Sequence, residues 1–158
     1  MTPPRSASAG LLMYRRLGRA VELFLVHPGG PFFARRDLGA WSIPKGMPLP
    51  DEPLLDAARR EFEEETGLHA EGPFEALTPV RQRGGKIVNA WAFEGDADPA
   101  VIVSNQFTLE WPPGSGRTRT FPEVDRAAFF APDEARRRLL SAQVPLVDEL
   151  VARLAART

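Results

Sequence analysis

The chain contains no cysteine, which excludes disulfides and thiolate metal ligands and is neutral about compartment. Its two histidines, His27 and His69, have no second histidine at ligand spacing, and both read as structural or exposed. Neither sign of charge dominates: 20 Lys and Arg stand against 21 Asp and Glu, for a net charge of −1. No global field therefore favours a DNA or RNA polymer or an anionic membrane, and any polyanion must be bound locally. Long apolar runs are missing too. Nothing approaches the length that spans a bilayer, and the polar Met1–Gly10 segment precedes no signal-peptide-like stretch. The expected class is a cytoplasmic enzyme or binding domain, monomer or homodimer being undetermined. The 158 residues suit one compact core.

Residues 1–7 read as a loose tail and 8–158 as one domain. Ala9–Tyr14 and Val21–His27 are short apolar runs with strand character, followed by a His27-Pro28-Gly29-Gly30-Pro31 loop. A further loop leads into an extended piece, Trp41-Ser42-Ile43-Pro44. From Pro53 to Thr66 the pattern turns helical, with Leu55, Ala58 and Phe62 at three- and four-residue spacing. Asp51 or Glu52 is a candidate cap, and Gly67 suits a left-handed stop. Phe74–Arg81 and Lys86–Phe93 read as strands around a Gly84-Gly85 hairpin signal. Asn105–Pro122 reads as a long surface loop. Ala127–Phe130 is a last strand, and Pro132–Leu140 and Val144–Leu154 are helical. Strands interrupted by helices indicate an α/β domain.

The helix over 53–66 carries an anomaly. At about 100° per residue, Glu64 and Glu65 each fall within roughly 60° of Glu61, whereas Glu63 points roughly 160° away. These three carboxylates gather in the last turns, where carbonyl dipoles already disfavour anions and like charges three and four residues apart add cost. A run of glutamates is commonly a solvated face. The alternative is a hard divalent cation with oxygen ligands, magnesium being usual where phosphates complete the shell.

The surrounding spacing decides between them. Gly46, then five residues, Glu52, then seven residues, leads to Arg60-Glu61-Phe62-Glu63-Glu64-Glu65-Thr66-Gly67-Leu68. This resembles the Nudix box, G-x5-E-x7-R-E-U-x-E-E-x-G-U with U apolar, at every fixed position. With ordinary residue frequencies such a coincidence arises at roughly one start in a billion. The resemblance implies an α/β/α sandwich with a mixed central sheet, and a Mg2+-dependent pyrophosphohydrolase in which Mn2+ is a possible substitute. It implies Glu61, Glu64 and Glu65 as metal ligands, completed by a carbonyl of Lys45 or Gly46. It also implies that Arg60 orients a carboxylate, with Glu52 as a second partner. In this family the base that takes the proton from water is variably placed; the candidates outside the box are Glu94 and Glu123, with Glu110 weaker.

The lead-in Trp41-x-x-Pro44-Lys45-Gly46 is similar to the branch holding diadenosine polyphosphate and diphosphoinositol polyphosphate hydrolases, and some nucleoside triphosphate pyrophosphohydrolases share it. A small phosphorylated substrate is implied, best a dinucleoside polyphosphate or nucleoside triphosphate. Lys45, the Arg81, Arg83 and Lys86 group, and Arg117 and Arg119 are candidate phosphate contacts, because arginine forks match phosphate oxygens. Phe32, Phe33, Trp41 and above all Trp111 are candidates to stack on a base. A diphosphoinositol hydrolase would call for more basic residues. A noncatalytic nucleotide sensor would be expected to carry a damaged box, and this box is intact.

Overall fold

The computed structural model describes residues 6–157. Residues 1–5 of the expected tail lie outside them, and Ala7 already opens the first strand. Strands β1 (Ala7–Leu17) and β2 (Ala20–Pro28) form a hairpin closed at Gly18 and Arg19. The two-residue strand β3 (Lys45–Gly46) precedes helix α1 (Leu54–Thr66). Two further short strands, β4 (Glu75–Ala76) and β5 (Val80–Arg81), lead to β6 (Ile87–Glu94). Then come β7 (Gln106–Glu110), β8 (Thr118–Pro122) and β9 (Val124–Phe130), followed by α2 (Pro132–Arg138) and α3 (Val144–Ala156).

The main sheet runs β4-β6-β1-β2-β9, with β3 added to β1 and β5 to β6. β1 and β6 pair in parallel while the other pairings are antiparallel, so the sheet is mixed. The period of two along β1 explains how both faces are covered. Ala9, Leu11 and Met13 point to a core shared with Ala57, Ala58 and Phe62 of α1. Leu12 and Tyr14 point to the opposite core, shared with Leu146, Leu150 and Leu154 of α3. The chain is thus an α/β/α sandwich, and none of its described helices is long and apolar enough to cross a membrane.

Three local expectations need correction. The start of α1 has no side-chain cap: Pro53 occupies the N-cap position, and the Glu52 carboxylate instead accepts from the Leu49 amide and from Arg60. The expected strand over 74–81 is two short strands: the Leu77 amide still donates to Ala90 of β6, but the Thr78 amide turns to Glu149 and Pro79 has no amide to give. The segment 105–122 is not an open loop but a separate hairpin, β7–β8, in register Phe107↔Phe121 and Leu109↔Arg119. Trp111–Arg117 forms its turn, dense in Pro and Gly, which is why it reads as irregular.

Candidate active site

The site is assembled where β3, α1 and the start of β9 meet. β3 lies against the first half of β1, pairing Gly46 with Ala9, and the Leu11 amide donates to the Pro44 carbonyl at 3.1 Å. This fixes the loop's backbone beside α1. A Cβ on Gly46 would lie 2.1 Å from the Glu61 carboxyl carbon, so only glycine lets this backbone approach the carboxylate. The far end of α1 is closed by Gly67 at φ 75°, whose amide donates to Glu63. Thr66, fully buried, donates its hydroxyl to Phe62 and accepts from the Leu68 amide.

Arg60 organises the acidic face. Its Nε and Nη2 grip Glu52 bidentately, both at 2.9 Å, and Nη2 also donates to the Met47 carbonyl. Its Nη1 donates to Glu61 at 2.9 Å and Glu64 at 3.1 Å. Two carboxylates thus converge on one cationic nitrogen. Glu65 is turned the other way and accepts from the Lys45 backbone amide at 3.2 Å. Burial, aided by the charges of Glu61 and Glu123, pushes its carboxyl up to about 8. Burial likewise raises Glu61, against the pull of Arg60. Burial lowers the Lys45 ammonium, and nearby Lys86 lowers it further.

Among the described residues no three of these groups are already drawn to one point; Arg60 and the Lys45 amide hold them apart. The donor set nevertheless fits a hard divalent cation. It consists of oxygens alone, with a carboxylate, Glu65, that burial holds out of water and a glycine that brings backbone carbonyls alongside.

Beside Glu65 opens a cavity whose lining includes the charged Lys45, Glu65 and Glu123 and the apolar Val26, Phe33, Ile43, Val124 and Leu140. Glu123 sits just before β9; burial and the Glu64 charge raise its carboxyl. The structure places Glu94 elsewhere, at the exposed end of β6 near Tyr14, Phe74 and Arg157. Glu110 accepts from the Gly114 amide within the hairpin turn.

The aromatic candidates separate. Trp41 is only 2% exposed, lies edge-on to Phe130 and His27, and donates its indole N–H to Asp37, so it offers no open face. Trp111 meets Phe32 edge-to-face at 5.5 Å, and neither is among the residues lining the cavity, whereas Phe33 is. Arg81 and Arg83 are exposed around the β5–β6 turn, and Arg119 is exposed over the Phe121 ring.

Gln143 is a contributor that sequence reasoning missed. Fully buried, it accepts from the Ile43 amide at 3.0 Å and donates to Ser42 Oγ and Gln82 Oε1. It thereby holds the extended segment before Lys45 from a partner 100 residues away, which leaves no local signal.

A family model described as the NUDIX domain matches residues 4–153. Among solved structures, a C. elegans Ap4A hydrolase binary complex is similar at TM-score 0.66 and 20% identity, with 94% of this chain and 98% of that chain covered. The NUDIX domain of Shewanella oneidensis NrtR complexed with ADP ribose is similar at TM-score 0.66 and 14% identity, with 97% and 90% covered. A MutT protein from Methanosarcina mazei Go1 is similar at TM-score 0.62 and 19% identity, with 97% of each chain covered.

Proposed function

The chain belongs to the Nudix family of pyrophosphohydrolases, and from that premise we propose that it hydrolyses a diphosphate linkage in a dinucleoside polyphosphate or a nucleoside triphosphate. The observation that carries this reading is the cavity beside Glu65. Its lining combines carboxylates and an ammonium group with apolar residues that include Phe33. A nucleotide divides its chemistry in the same way, between a charged phosphate chain and a flat base.

Glu61, Glu64 and Glu65, with a backbone carbonyl of Lys45 or Gly46, would hold Mg2+, or Mn2+ in its place. Such a cation supplies charge neutralisation at the phosphate oxygens and makes the attacking water more acidic. Arg60, pinned by Glu52, sets the direction of Glu61 and Glu64. Lys45 adds positive charge for a phosphate oxygen, with Lys86 close enough to be felt by it.

Glu123, which lines the same cavity as Lys45, takes the proton of the water that attacks phosphorus. Burial makes its carboxylate a better base than an exposed one. As the new P–O bond forms, the anhydride P–O bond breaks, and the electron pair leaves on the departing phosphate. Phe33 stacks on or flanks the base.

The test is a phosphate-release screen with magnesium over triphosphates, diadenosine polyphosphates, ADP-ribose and diphosphoinositols. Turnover of adenine nucleotides that Glu64→Gln lowers by orders of magnitude supports the reading. Preference for diphosphoinositols, or turnover indifferent to that substitution, defeats it.

A further inference from the structure

His27 lies near the end of β2 and is fully buried. Its Nδ1 is 2.7 Å from Asp125 Oδ1, and its Nε2 is 2.6 Å from the carbonyl oxygen of Arg36. A carbonyl oxygen only accepts, so Nε2 must carry a proton. An ionised carboxylate also only accepts, so Nδ1 carries another. Both nitrogens are therefore donors, and the ring is an imidazolium.

The charges around it form a small cluster. On β9, Arg126 approaches Asp125 at 3.8 Å and lies over the Trp41 ring, which meets His27 edge-on at 5.3 Å. On the loop, Asp37 is held by the Trp41 indole and by Arg138 of α2. The Arg36 guanidinium itself lies 5.9 Å from the Phe33 ring.

The loop that follows β2 is tied down at its two ends. The Gly29 amide donates to the Glu123 carbonyl, and the Gly39 amide to the Arg137 carbonyl. Between these ends, the hydrogen bond from His27 to Arg36 is the one that joins residues 30–36 to the rest of the described residues. Arg36 closes a turn on Phe33, its amide donating to the Phe33 carbonyl at 3.0 Å. Fixing Arg36 therefore fixes Phe33, a wall of the cavity beside Glu65.

We propose that His27 is a positioning residue: as an imidazolium clamped between Asp125 and the Arg36 carbonyl, it sets the Phe33–Arg36 turn and thereby the affinity for the nucleoside part of the substrate. This rests on reading the Glu65 cavity as the substrate site. Removing the ring removes the donor that holds the Arg36 carbonyl, so the turn loosens and binding weakens with it.

The full chain, labelled with 15N, tests this by NMR of the histidine ring and by limited trypsin digestion. Protons on both His27 nitrogens at neutral pH are expected; a single neutral tautomer overturns the proposal. For His27→Gln, cleavage after Arg35 and Arg36 should accelerate several-fold while cleavage after Arg117 stays constant. KM for the preferred nucleotide should rise about fivefold, the effect of one lost net hydrogen bond, with kcat changing less.

Asp125→Asn supplies the control should the glutamine variant fail to fold. Its amide can donate to one ring nitrogen while the other still donates to Arg36, so cleavage after Arg35 and Arg36 should stay near that of the wild type. Wild-type cleavage and KM in His27→Gln, or accelerated cleavage after Arg35 and Arg36 in Asp125→Asn, refute the clamp. The NMR and protease measurements need no turnover, so they judge the clamp even if no nucleotide proves to be a substrate.

Discussion

Replacing Glu65 by glutamine should stabilise the metal-free protein in alkali and leave it unchanged in acid. Burial first, then the charges of Glu61 and Glu123, push the Glu65 carboxyl up to about 8 from an ordinary value of 4.5. Within that interval the folded protein holds a proton that the unfolded chain has released. Stability therefore falls as pH rises from about 4.5 to about 8, and the loss is complete above it. Below about 4.5 both states are protonated and nothing is lost. At about 1.36 kcal/mol for each pH unit of that interval, the penalty has an upper limit of about 5 kcal/mol. Glutamine removes it and keeps an oxygen for the Lys45 amide. For a domain of this size 1 kcal/mol moves Tm by roughly 2–4 °C, so a gap on the order of 10 °C is expected near pH 9. Thermal unfolding followed by circular dichroism in EDTA, from pH 4 to pH 9, measures it. Magnesium should then stabilise wild type more than the variant, since a ligand that binds only the folded state adds its binding free energy. An offset independent of pH, or a glutamine variant less stable at pH 9, would refute the buried-charge reasoning.

Three further outcomes are expected. Gly46→Ala inserts a Cβ 2.1 Å from the Glu61 carboxyl carbon; displacement of that carboxylate should lower kcat about 100-fold or more, as ångström-scale misplacement does, in steady-state assays. Glu123→Gln should remove the limb of the pH–rate profile that reports the base and cut kcat by about 100-fold or more; an unchanged limb would reassign the base to a box glutamate. Phe33→Ala should raise KM for adenine nucleotides but not for inorganic polyphosphate, and Trp111→Ala should do so less; equal effects on both substrates would discard the stacking roles.

The site was legible where its determinants are local. Glu61, Glu64 and Glu65 lie within two turns of one helix, and the spacing from Gly46 to Leu68 is written along the chain. So was α1, because Leu55, Ala58 and Phe62 at three- and four-residue spacing mark its packed face. Pairings between distant segments leave no such trace. The parallel match of β1 with β6 joins residues about 80 apart, and nothing in either strand names its partner. The β7–β8 hairpin escaped notice because its strands are half exposed and its turn is crowded with proline and glycine. Trp41 looked available for stacking because Asp37, which takes its indole N–H, is recognisable as a partner only once the loop is folded. The His27–Asp125 pair, 98 residues apart, was hidden for the same reason.

The placement of Gly46 on β1 has a thermodynamic consequence. β1 is the strand flanked by β6 on one edge and by β3 and β2 on the other, with a core on each face. Strands so enclosed exchange their amide hydrogens only when the whole molecule opens. The loop that faces Glu61 is stitched to this least-yielding part of the protein, so heat should abolish the carboxylate geometry and the fold at one temperature. A hydrogen-exchange map should find the amide of Leu11, bonded to Pro44, among the slowest in the chain.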